Sequence, residues 1–68
     1  MVEVFKTNVQ EAGHSETMIQ KLLEHFPQCK INFDLEDCDN ILRVDGDIRP
    51  GQVIAVLNTN GYDCLALE

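Results

Sequence analysis

The sequence predicts one small α+β domain, an antiparallel sheet of four strands with two helices on one face. Three observations predict it. The first is length: 68 residues make one domain with a thin core, because a chain this short hides only ~60% of its unfolded surface on folding. The second is periodicity, with two stretches of helical spacing and four strand-like runs in the order β-α-β-β-α-β. The third is composition: 44% apolar and 25% charged residues, with 4 Gly and 2 Pro, describe a folded globule and not a disordered chain.

The first strand is residues 2–6, rich in Val and Phe, followed by the loop formers Thr7 and Asn8. Alternation leaves its facing open, since Val2 and Val4 share one side while Glu3, Phe5 and Thr7 share the other. A polar segment, Gln10 to His14, leads to Ser15, whose hydroxyl suits it to cap a helix by accepting from an orphan N–H. From Ser15 to Phe26 the apolar residues Met18, Ile19, Leu22, Leu23 and Phe26 fall on one helical stripe. Pro27 stops this helix, and His25 stands at the negative end of its dipole.

Ile31, Phe33 and Leu35 alternate with Asn32, Asp34 and Glu36, as in a strand with one buried face. The polar turn Asp37-Cys38-Asp39-Asn40 leads into Ile41-Leu42-Arg43-Val44, so the two runs form a hairpin. Asp45-Gly46-Asp47 closes it. Pro50 fits the first turn of a second helix, where no N–H is needed, and Val53, Ile54, Val56 and Leu57 form that helix's buried side. Gly61 suits a left-handed terminator, and Tyr62 to Leu67 is the last strand. This order is the ferredoxin-like split βαβ arrangement.

Twelve acids against five bases give a formal charge of −7, which repels phosphate backbones and anionic membranes and argues against nucleic acid as a partner. The N-terminus lacks the basic-then-apolar pattern of a signal peptide. The longest apolar run, Val53 to Leu57, falls far short of the ~20 residues of a membrane span. Cys29, Cys38 and Cys64 are an odd, widely spaced set, which fits free thiols in the reducing cytoplasm. An enzyme is not expected: no nucleophile is spaced with a base, there is no Gly-rich phosphate loop, and Arg43 and Arg49 are the two guanidinium groups.

Phe5-Lys6-Thr7-Asn8-Val9, the helix that follows, the run Ile41-Leu42-Arg43-Val44, and Asn60-Gly61-Tyr62 resemble the heavy-metal-associated domain along essentially the whole chain. The resemblance implies the ferredoxin-like fold and, in that family, a soft ion such as Cu(I) held by a Cys-x-x-Cys motif between the first strand and first helix. Two thiolates suit a soft cation. Laid on this sequence without a gap, the Cys-Gly-Gly-Cys form of that motif falls on Glu11-Ala12-Gly13-His14. Gly13 matches and both cysteines are replaced.

Two readings follow. In one, Glu11 and His14, joined by Cys38 from the central turn, hold a divalent ion such as Zn(II), Ni(II) or Cu(II), for which carboxylate and imidazole are apt ligands. The topology places the first loop, the hairpin turn and the start of the last strand at one end, so these residues are candidates for one cluster. In the other, Glu11 is a solvated loop charge, His14 is an ordinary residue before a helix, and the domain is a non-catalytic interaction module. Cys64 reads as a small buried hydrophobe and Cys29 as remote from the site. Asp34, Glu36, Asp37, Asp39, Asp45 and Asp47 lack the spacing of a calcium loop. They read as an acidic rim that steers a protein partner with a basic surface.

Overall fold

A computed structural model of the chain describes residues 2–35 and 40–67. Glu36, expected in the second strand, and Asp37, Cys38 and Asp39 of the expected turn lie outside that description. The elements run β1 (Val2–Thr7), α1 (Ala12–His25), β2 (Lys30–Asp34), β3 (Ile41–Asp45), α2 (Pro50–Thr59) and β4 (Cys64–Leu67). The sheet order is β2-β3-β1-β4 with every neighbouring pair antiparallel. This is the ferredoxin-like arrangement that the sequence predicts.

Register settles the facing of β1. Phe5 pairs with Leu42 on one side and Ala66 on the other, and Leu42 pairs with Phe33. Paired residues of antiparallel strands share a face, so Phe33, Leu42, Phe5 and Ala66 form one row under the helices. Phe5, Leu42 and Val44 are fully buried there with Val9, Leu22, Val53 and Leu57. Val2 and Val4 point the other way. At roughly 1.5–3 kcal/mol for each fully buried large apolar side chain, this layer supplies the main favourable term in folding.

The first helix begins earlier than Ser15. Its N-cap is Glu11, in extended conformation and with no side-chain capping bond, and the backbone N–H of Ser15 donates to the Glu11 carbonyl at 2.9 Å. Ser15 is buried within the first turn, and its hydroxyl donates to the Ala12 carbonyl at 2.8 Å. The reason is the stripe itself: Ser15, Met18 and Leu22 are spaced i, i+3, i+7, so the core claims Ser15 before a cap can. Leu23, on the margin of that stripe, is exposed. The helix ends as expected before Pro27, with the Phe26 N–H bonded to the Leu22 carbonyl at 2.7 Å.

Pro50 opens α2, where the Arg49 N–H donates to the Gln52 side-chain oxygen at 3.4 Å and the Gln52 N–H returns to the Arg49 carbonyl at 2.9 Å. Val53 and Leu57 are its buried residues, with Ile54 and Val56 packed at the margin of the core. At its C-terminus the Gly61 N–H donates to the Asn58 carbonyl at 3.0 Å and the Tyr62 N–H to the Leu57 carbonyl at 2.9 Å. Those two bonds are a Schellman motif. It takes up Tyr62, so the last strand begins at Cys64 and not at Tyr62.

Gly61 has φ +88°, a conformation that costs a residue with Cβ about 1–2 kcal/mol. Gly13, in the first turn of α1, has open space where a Cβ would stand. Gly61→Ala therefore lowers stability by about 1 kcal/mol or more, whereas Gly13→Ala raises it by up to about 1 kcal/mol. Urea unfolding of the two variants beside the parent checks both signs.

Candidate functional site

Antiparallel reversal brings the β1–α1 loop, the end of β2, Asn40 before β3 and the α2–β4 turn to one end of the sheet. Hydrogen bonds fasten them. Thr7, at the end of β1, is buried, and its hydroxyl donates to the Asn40 carbonyl at 2.7 Å while accepting from the Val9 N–H at 3.2 Å. One hydroxyl thus satisfies two backbone groups that would be costly to bury alone. Asn40 itself has φ +49°, a left-handed conformation that Asn tolerates better than most residues.

A second tie joins the first loop to the turn before the last strand. The Asp63 N–H donates to the Asn8 side-chain oxygen at 2.8 Å, and the Asn8 side-chain nitrogen donates to the Asp63 carboxylate at 3.4 Å. Above it, the His14 ring stands 6.2 Å from that of Tyr62, tilted by 51°. The loop between β1 and α1 is therefore held at three points.

Glu11 and His14 do come together, with Glu11 Oε2 at 3.6 Å from His14 Nε2. Both side chains are largely in water, at 75% and 56% exposure, so the contact is worth at most about 1 kcal/mol when His14 is charged. The helix start explains the pairing. Glu11 at the N-cap complements the positive end of the α1 dipole, and His14, three residues on, lies on the same face. As a metal site the pair supplies two ligands, against the three or four protein ligands of a zinc centre. Among the described residues no group of three or more His, Cys, Asp or Glu side chains is placed to hold an ion. Cys38, the third expected ligand, lies outside the described residues.

The other two cysteines have separate roles. Cys64 pairs with Thr7 on the helix side of the sheet and packs against the core. Burial raises its thiol from the ordinary 9.0 to about 11, so it stays protonated at neutral pH and offers no thiolate. Cys29 lies at the far end of the sheet, with its sulfur against Gly46 at a place where a Cβ would collide with it.

Sequence reasoning leaves out Asn8, Asp63, Thr7 and Tyr62 as parts of this end. Topology alone could have placed them together, but a tie between residues 55 apart has no local signal. No protein-family model, no curated protein and no solved structure matches the chain. Among the described residues no helix is long and apolar enough to cross a membrane.

Two outcomes are expected. Thr7→Val leaves the Asn40 carbonyl and the Val9 N–H without their partner and costs about 1–3 kcal/mol, more than Thr7→Ser, as urea unfolding will measure. Between pH 9.0 and about 11 the unfolded chain loses the Cys64 proton while the folded chain keeps it, so stability falls as pH rises through that window. Cys64→Ala flattens that part of the curve. Iodoacetamide at neutral pH modifies Cys64 more slowly in the folded chain than in urea.

Proposed function

We propose that this protein is a non-catalytic binding module of the reducing cytoplasm. In this reading it is a heavy-metal-associated-like scaffold whose thiol motif is replaced by Glu11 and His14. It docks the basic surface of a protein partner with its loop end. The observation that carries the reading is an exposed acidic surface on a loop held by hydrogen bonds to distant segments. Thr7 and Asn8 fix the loop to the sheet, while Glu11, Asp63 and Asp34 are exposed around it. In the sequence Glu36, Asp37 and Asp39 follow between β2 and β3. Such a field steers a basic partner from a distance, and its pull weakens as salt rises. No step of bond making is implied.

A second reading has one observation in its favour, the 3.6 Å approach of Glu11 to His14. In it the protein is a metal-binding or metal-transport accessory, and Glu11, His14 and Cys38 hold a divalent transition metal. The ligand types fit Zn(II) or Ni(II) better than Cu(I).

One titration separates the two. Amide spectra of the reduced protein are recorded with Zn(II), Ni(II) and Cu(I) in turn, and then with a hexalysine peptide. The module reading expects the peptide to shift residues 8–15 and 60–63, with the effect lost in about 1 M salt, and the metals to leave those residues unmoved. Saturable metal shifts confined to residues 10–15 and 37–39 would transfer the assignment to the metal reading. Silence to the peptide at every salt concentration removes the acidic-platform argument.

A further inference from the structure

The face of the sheet turned away from the helices is unlike the rest of the molecule. Register places its side chains in three rows: Lys30, Asp45 and Val2; then Asn32, Arg43, Val4 and Leu67; then Asp34, Ile41, Lys6 and Leu65. Three of the chain's five basic residues stand here, so a protein of charge −7 carries a face of nearly balanced charge. The half formed by β1 and β4 is apolar apart from Lys6. Val2, Leu65 and Leu67 are 57%, 62% and 38% exposed, where an open antiparallel face is ordinarily polar. A hollow of ≈ 370 Å³ lies on the β2 side of Val2, lined by Val2, Lys30, Ile31, Asn32, Arg43 and Asp45.

We propose that this face binds a second copy of the same chain, face to face, about a two-fold axis perpendicular to the strands. This is separate from the loop-end platform. The charge pattern selects both the partner and the orientation. A two-fold axis across the strands lays the first row of one copy over the third row of the other. Lys30 then meets the partner copy's Asp34, and its Asp34 meets Lys30, while Val4 and Leu67 meet their own equivalents. The paired Arg43 side chains lie between the Asp45 carboxylates of the two copies. An axis along the strands would instead press the charged β2 column onto the apolar β4 column. Two molecules of charge −7 repel at long range, and this face lets them touch with least cost.

Nucleic acid is a poor occupant. The outward positions carry no aromatic ring on which a base could stack. The footprint is small: four strands ~4.8 Å apart and ~5 residues long at ~3.4 Å each give roughly 300–350 Å² in projection. Standard interfaces bury ~800 Å² per partner, so the dimer is weak and reversible.

The test is sedimentation velocity with concentration-dependent amide spectra, from about 20 μM to about 1 mM at physiological salt. A monomer–dimer equilibrium is expected, with shifts on Val4, Arg43, Leu65 and Leu67. Lys30→Asp should raise the dissociation constant about tenfold, because the two-fold repeats each altered contact. Lys30→Asp combined with Asp34→Lys should restore it. Both variants share the changed neighbour of Asp45, so rescue separates a contact between copies from a local effect on β2. Leu67→Ser should weaken association as well, and far-UV circular dichroism verifies that each variant is folded. A chain that stays monomeric at the highest concentration overturns the proposal. So does a dimer indifferent to Lys30→Asp, which would be joined through an edge strand or the helices.

Discussion

Phe5 stands in the middle of the sheet with Leu42 beside it and Ala66 on its other side, and the facing of that one row governs the rest of the molecule. Side chains alternate strictly along a strand, so once Phe5 points at the helices, Thr7 must point there too and Val2, Val4 and Lys6 must point away. A slip of one residue would exchange the two surfaces wholesale. The hydrogen-bonded end of the protein and the exposed apolar residues of its outer face are thus two results of one constraint. Thr7 can reach Asn40 because Phe5 is buried, and Val2 is in water for the same reason.

The fold was legible where the sequence carries a period. The i, i+4, i+8 spacing of Met18, Leu22 and Phe26, the alternation of Ile31 and Phe33, and Pro50 and Gly61 at the ends of α2 each report a local preference that the tertiary structure keeps. Boundaries were less legible where two uses of a residue compete. Ser15 is a good cap in isolation, yet its position on the stripe of Met18 and Leu22 takes it into the core, and Glu11 receives the cap position. The facing of β1 was open because Val2 and Val4 are as apolar as Phe5. Only its two neighbouring strands decide between them.

The candidate site was legible in half. Glu11 and His14 are three residues apart at a helix start, so their meeting is local and follows from the spacing. The setting that holds them is not local. Asn8 with Asp63, Thr7 with Asn40 and His14 with Tyr62 are contacts between segments distant in sequence. Each depends on sheet order, which periodicity does not give. Cys64 illustrates the opposite case: its place in a strand identified it as a small core residue, and burial keeps its thiol protonated.

The order β2-β3-β1-β4 has a further consequence for how the chain folds. β1 is a central strand with no partner nearby in sequence: one side waits for β3 and the other for β4. Its ladders close long loops before they return any contact energy, which makes this topology slower to fold than a helical bundle of the same length. During synthesis β1 precedes both partners, and even once β3 is there to pair with it, its other edge stays open until β4 follows. A chain interrupted before Cys64 would carry Val4 to Thr7 as an open edge, and an apolar strand in that condition is a template for aggregation. The helices and the β2–β3 pair join segments close in sequence, but β1 is enclosed on both sides only when β4 is present.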